Sequence, residues 1–163
     1  FSRKIKAKCY VNLQGDEPVM DSENIRKMIS AALKSPDQII NGWAHIRSKK
    51  DYFSRTIPKV VMKENNSLMY MSRSPIPGNK TNEFLEAKKQ VCVYSFPYAA
   101  LQFIMQNPQK APVESVEDIE ILRFLEHNWD IKMIELPGIS IAVDTPRDLE
   151  RVRKKMGLLD PTK

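Results

Sequence analysis

Glycine is scarce. The five glycines, Gly15, Gly42, Gly78, Gly138 and Gly157, are too far apart to build a glycine-rich phosphate loop between a strand and a helix. That excludes the unit with which an α/β nucleotide-binding domain ordinarily opens. Apolar runs are short as well: none reaches the 18 residues or so that a transmembrane helix requires. The opening "FSRKIKAK" has no apolar stretch of the kind a signal peptide needs. The two histidines, His45 and His127, have no cysteine or acidic companions at metal-ligand spacing. No nucleophile–histidine arrangement is visible either. The two cysteines, Cys9 and Cys92, lie in apolar strand-like runs, which fits two buried thiols better than one disulfide.

The chain has 163 residues, 42% of them hydrophobic and 28% charged, the balance of one soluble globular domain with a real core. A net charge of +6 raises the question of nucleic acid. The basic residues fall in short clusters ("RKIKAK", "RSKK", "RVRKK") that aromatic side chains do not interleave, so no base-stacking platform is indicated. A modest basic excess suits any phosphate-rich partner.

Strand and helix signals alternate along the chain. "CYVNL" reads as a short buried strand. Ile25, Met28, Ile29 and Leu33 then follow helical spacing, with Asp21 or Ser22 as N-cap and "KSPD" as the stop. "QIINGWAHI" is a second strand. "KVVMK" and "LMYMS" flank "ENNS" as a β-hairpin, Asn65 and Asn66 tolerating the positive φ of a tight turn. "SRSPIPGNK" is a loop, "QVCVYSF" a buried strand, and "PYAALQFIMQ" a short helix with Pro97 near its first turn. "SVED" predicts a capping box ahead of a helix carrying Val116, Ile119, Leu122 and Leu125. "IKMIEL" and "ISIAV" read as strands. The last helix has Thr145 as N-cap, Pro146 at its first position and Asp148 closing the box, with Leu149, Val152 and Met156 as the buried stripe. The expected fold is therefore α/β, a mixed, mostly parallel sheet flanked by helices with an inserted β-hairpin. Because the chain opens on what resembles a helix tail, an N-terminal portion of the domain is expected to be missing from it.

Two segments end a strand on an aspartate, "VNLQGD" with Asp16 and "ISIAVD" with Asp144. Ligands of open α/β sheets bind outside the carboxyl ends of the strands. Two carboxylates there could share a Mg²⁺ ion. A turn residue at Asp16 and a helix-start acid at Asp144 are the plainer readings. Arg73 leaves a strand into a proline-rich loop, either to clamp a carboxylate or as a surface arginine. Tyr94 sits in an apolar run, as core tyrosines do.

Five stretches, taken together and in order, resemble the cytidylyltransferases that activate 3-deoxy-manno-octulosonate (Kdo). "VNLQGDEP" is similar to V-N-V-Q-G-D-E-P and "LMYMSRSPIP" to A-L-Y-F-S-R-S/A-P-I-P. "VCVYSF" falls where the family has H-I-G-I-Y-A-Y, and "IEILRFLE" where it has L-E-Q-L-R-x-L-E. "AVDTPRDLERVR" resembles G-V-D-T-P-E-D-L-E-R-V-R. The resemblance implies a nucleotidyltransferase-like Rossmann variant and transfer of CMP from CTP to the anomeric hydroxyl of a 2-keto sugar acid, with release of pyrophosphate. It implies Mg²⁺ held by Asp16 and Asp144, and a sugar-acid pocket lined by Gln14, Arg73, Tyr94 and Glu120. It further implies a cytoplasmic homodimer serving lipopolysaccharide or other surface-glycan synthesis; the scattered basic residues and short apolar runs point to neither nucleic acid nor membrane as partner. Gln90 replaces the family's histidine and Ile121 its glutamine, both on the sugar-acid side. An amide, like an imidazole, can donate a hydrogen bond, so Gln90 is expected to bind substrate in the histidine's place. These two departures point to a modified acid such as an amino-Kdo. A nine-carbon ulosonate of the sialic or pseudaminic type, and a non-catalytic dimerisation or regulatory relative, are the alternatives.

Overall fold

In the computed structural model, residues 2, 4–137, 141–143 and 145–158 are described. Strand β1 (Cys9–Leu13) leads through a loop into helix α1 (Ser22–Lys34), which returns the chain to β2 (Ile39–His45). A short α2 (Lys49–Phe53) precedes the hairpin β3 (Lys59–Met62) and β4 (Leu68–Ser72). A long β5 (Lys88–Pro97) runs directly into α3 (Tyr98–Gln106). Then follow α4 (Pro112–Glu117), α5 (Ile121–Glu126), β6 (Ile131–Glu135) and α6 (Pro146–Lys155).

The mixed α/β expectation holds, but the sheet is not mostly parallel. Its order is β4-β3-β5-β2-β6, with β1 also paired to β5. Among the described residues only β2 and β6 run parallel; the pairings of β5 with β1, β2 and β3, and of β3 with β4, are antiparallel. The physical reason lies in β5. The β1–α1–β2 crossover does bring two strands round in one direction, as the alternating pattern suggested, but β5 runs between them in the opposite direction.

Helix α1 covers one face of the sheet, where Met28 packs with Ile40, Ala44, Val91, Val93 and Leu136. The opposite face carries the larger core, in which Trp43, Val60, Met71, Tyr94, Leu122, Phe124 and Met133 meet. Each large apolar side chain buried this completely contributes about 1.5–3 kcal/mol. The hairpin arches over this second face. Its turn residue Asn66, at φ 62°, accepts through its carbonyl from the Met133 amide at 2.8 Å.

Several expectations need correcting. The N-cap of α1 is Asp21, whose side chain accepts from the Glu23 amide at 2.9 Å. Its buried stripe is Asn24–Met28–Ala32, leaving Ile29 and Leu33 exposed. "SVED" is no cap: Ser115 lies inside α4, donating its amide to the Ala111 carbonyl at 2.8 Å. That helix starts at Pro112, with the Glu114 carboxylate accepting from the Ala111 amide at 3.0 Å. It ends at Asp118 in the left-handed conformation, so Val116 is solvent-facing and a separate α5 begins at Ile121. Residues 141–143 of "ISIAV" form no strand, and the first two residues of that stretch lie outside the described residues. In α6 the Thr145–Asp148 box is present, but only Val152 of the stripe is buried. Cys9 and Cys92 are free and half-buried.

The α4–α5 corner is held by one buried ion pair. Arg123 donates from Nε and Nη2 to the two Glu114 oxygens, both at 2.6 Å, and from Nη1 to the Asn107 carbonyl at 3.0 Å. Removing one partner of such a pair leaves an uncompensated charge. Glu114→Ala should therefore lower the unfolding free energy by about 3–5 kcal/mol in urea titration; a loss below about 1 kcal/mol would show the pair to be dispensable.

Candidate active site

Along one edge of β5 two different strands take turns. β1 pairs with residues 93–97 and β3 with Lys88 and Lys89. Between them the Gln90 backbone amide donates to the Pro58 carbonyl at 3.0 Å, and on this edge no strand pairs with the next two residues. Side chains alternate across a strand, so Gln90, Cys92 and Tyr94 share one face of β5 beside this gap.

The loop after β1 forms one lip. Its carbonyl-to-amide turns are Gln14 to Glu17 at 3.4 Å and Glu17 to Met20 at 3.2 Å. Gln14 is half-buried, Asp16 is exposed and Glu17 is buried. A Cβ added at Gly15 would meet nothing within 4 Å, so the fold leaves that side of the loop open. The Val143 amide donates to the Asp16 carbonyl at 2.9 Å. The chain just ahead of Asp144 thus runs against the Asp16 loop; Asp144 itself lies outside the described residues.

Polar side chains line the floor. Asn41, fully buried on β2, donates from Nδ2 to the Val91 and Val93 carbonyls at 3.1 and 2.9 Å. Gln90 Nε2 donates to Asn41 Oδ1 at 3.0 Å and to the Tyr94 hydroxyl at 3.1 Å. Burial, together with the neighbouring Cys92 sulfur and the Glu120 and Glu17 carboxylates, raises the Tyr94 hydroxyl well above its ordinary range. Tyr94 therefore stays a protonated donor. Burial likewise pushes the Cys92 thiol up to about 12, assisted by Glu17.

The opposite lip is fastened by charge. Arg73 donates from Nε to the Glu117 carbonyl at 2.7 Å, from Nη2 to that of Asp118 at 3.0 Å, and from Nη1 to that of Arg55 at 3.2 Å. The fork expected to clamp a carboxylate is spent on backbone, because left-handed Asp118 turns two consecutive carbonyls toward it. Glu117 accepts from the Ser72 hydroxyl at 2.5 Å, the Arg73 amide at 2.8 Å and the Tyr70 hydroxyl at 3.2 Å. Fully buried Lys59 donates to the carbonyls of Ser54, Ile57 and Arg73 at 2.6–2.7 Å. Burial and the nearby Arg55 and Arg73 guanidinium groups push it down to about 8, so it remains an ammonium at neutral pH.

The structure thus brings Gln14, Asp16, Gln90, Tyr94 and Glu120 around one gap, with Arg73 behind one lip. Glu120 stands exposed at the start of α5 and acts electrostatically on Tyr94. Ile121 is buried in the core, away from polar work. Sequence reasoning missed Asn41, Glu17, Cys92 and Glu117. An asparagine within the apolar run "QIINGWAHI" was the one available signal.

Comparison with known proteins decides the family. Residues 1–133 match the family described as Cytidylyltransferase. The chain belongs to the cytidylyltransferase family. It is 36% identical over 151 residues to the 3-deoxy-manno-octulosonate cytidylyltransferase of Parabacteroides distasonis, covering 86% of this chain and 60% of that protein. Against the Escherichia coli enzyme of that name it is 31% identical over 153 residues, covering 94% and 62%. A solved structure of CMP:2-keto-3-deoxy-manno-octonic acid synthetase complexed with CTP superposes with a TM-score of 0.84 at 28% identity, covering 96% of this chain and 64% of that one. This cytidylyltransferase-family chain therefore spans about three-fifths of the length of the relatives it matches.

Two outcomes follow from the electrostatics. With its thiol pushed up to about 12, Cys92 should resist iodoacetamide at pH 8 in the native protein and react once the protein is unfolded; peptide mass mapping checks this. Burial raises the Glu117 carboxyl, but its three hydrogen bonds outweigh that and hold it below its ordinary value. A depressed folded-state pKa stabilises above the unfolded value, about 4.3, and that stability is lost as pH falls through the folded one. The melting temperature should therefore drop below about pH 4, and less steeply in Glu117→Gln.

Proposed function

We propose that this chain supplies the sugar-acid side of a cytidylyltransferase that transfers CMP from CTP to the anomeric hydroxyl of Kdo or a modified Kdo. The observation that carries this reading is the gap beside β5: Gln14, Tyr94, Gln90 and Glu120, at positions the Kdo family pattern places on the sugar acid, converge there from three separate segments, the loop after β1, β5 itself and the start of α5. The match of residues 1–133 to the cytidylyltransferase family supports the reaction class, and the names of the relatives support the substrates.

In this reaction the anomeric oxygen attacks the α-phosphorus of CTP. A new P–O bond forms, the bond to the leaving pyrophosphate breaks, and the hydroxyl proton is lost. Catalysis of such a transfer is mainly positioning and charge neutralisation. The Tyr94 hydroxyl and the Gln90 amide orient the sugar acid over the floor. The open side of the Gly15–Asp16 turn lets a phosphorylated ligand approach the backbone. Arg73 contributes by holding the lip rather than by touching the acid.

Asp16 fits a role in holding Mg²⁺: it is an exposed carboxylate at the carboxyl end of β1, and its carbonyl is bonded to the residue preceding Asp144. When bound, that ion would neutralise the phosphate charge. A cytoplasmic homodimer serving lipopolysaccharide or other surface-glycan synthesis extends the proposal, supported by the family resemblance.

The test is substitution in the full-length protein. Asp16→Asn and Asp144→Asn should each cut CTP- and Kdo-dependent pyrophosphate release by about 100-fold or more while leaving the melting temperature within a few degrees. Turnover that survives with unchanged Mg²⁺ dependence would refute the carboxylate assignment.

A further inference from the structure

The hydrogen-bond polarity of the pocket floor is fixed from beneath. Asn41 Nδ2 has two hydrogens and gives both to backbone carbonyls, those of Val91 and Val93. No other orientation of this amide satisfies those two carbonyls, so Asn41 must present Oδ1 to Gln90. Gln90 must then answer with Nε2, whose second hydrogen goes to the Tyr94 hydroxyl. Both donors of Gln90 are consumed. Its Oε1 has no partner among the described residues. The expectation that Gln90 donates a hydrogen bond in place of a histidine is therefore overturned: what it offers a ligand is an acceptor.

We propose that Gln90 is the specificity-determining residue of this pocket, selecting through Oε1 a hydrogen-bond donor on the sugar acid, and that the preferred donor is an amino group replacing a hydroxyl. Asn41 is its positioning residue. The inference rests on the function proposed above. Two features favour an ammonium over a hydroxyl. Oε1 only accepts, whereas a hydroxyl is best matched by a partner that can also donate. The Glu17 and Glu120 carboxylates both lie close enough to act on this floor, and an added positive charge there is favoured over a neutral hydroxyl. The Arg73 guanidinium is turned to the backbone carbonyls of Glu117 and Asp118. A hydrogen bond involving a charged partner is worth about ten-fold or more in discrimination.

The experiment compares kcat/KM for Kdo and for its amino-substituted analogue in the full-length protein, by pyrophosphate release, for the native enzyme, Gln90→His and Asn41→Ala. The native enzyme should prefer the amino acid by about ten-fold or more. Gln90→His, whose ring can donate, should lose most of that preference while still turning over Kdo, which also shows that it folds. Asn41→Ala frees the Gln90 amide to rotate and should shrink the preference, with KM for the amino acid rising more than kcat falls. Native preference for plain Kdo, or a ratio unchanged in Gln90→His, overturns the inference and leaves the proposed function standing. No turnover of either acid by the native enzyme overturns the function and the inference with it.

Discussion

Everything that positions the candidate site depends on β5 being longer than either strand that pairs with its outer edge. A ten-residue strand exposes a full ladder of backbone donors and acceptors, and an unpaired ladder inside a fold is costly. β1 satisfies one end and β3 the other. Neither reaches the middle. On the inner edge β2 pairs with both halves, but the register slips between Asn41 and Gly42. At that slip two β5 carbonyls, those of Val91 and Val93, accept from a β2 side chain, and Asn41 is that side chain. The gap and the polar floor beneath it are thus two consequences of one interruption in the sheet.

Gly42 belongs to the same interruption. A Cβ there would lie 2.5 Å from Leu136 Cδ1 and 3.2 Å from Val91 Cβ. The absence of a side chain lets β2 approach β5 closely where the register changes. Of the scattered glycines this one is required by packing, whereas Gly15 is not.

Local signals in the sequence were reliable and long-range ones were not. The boundaries of β1, the hairpin, α3 and α6 follow from periodicity, caps and turn residues, all decided within a few neighbours. The strand directions were misread because α1 separates β1 from β2 by a crossover whichever strand lies between them, and nothing within "QVCVYSF" encodes that it inserts there. The exception among the local signals is "SVED": a serine three residues before an acid satisfies the capping pattern, but Pro112 and Glu114, just ahead of it, had already started the helix. Gln14, Asp16, Tyr94 and Glu120 were identified through family resemblance, and the fold brings them together. Asn41 and Glu117 escaped because their work is done on partners some fifty residues distant, Val91 and Val93 for one and Ser72 and Arg73 for the other.

The two lips of the gap are held by different physics, and the difference suits the chemistry proposed for them. Behind one lip, Lys59, Arg73 and Glu117 make charge-assisted hydrogen bonds to backbone and hydroxyl groups, a type about twice as strong as a neutral one. Those bonds are made within the protein without a ligand, and pre-set geometry of this kind favours the positioning that the proposed transfer depends on. The other lip is a turn with two long backbone bonds and one contact from Val143, and it carries Asp16 exposed. A carboxylate that must settle around a metal and a triphosphate gains from an adjustable backbone, because coordination distances tolerate little error. On the function proposed above, specificity would lie with the floor and the lip fastened by charge, and charge neutralisation with the turn that carries Asp16.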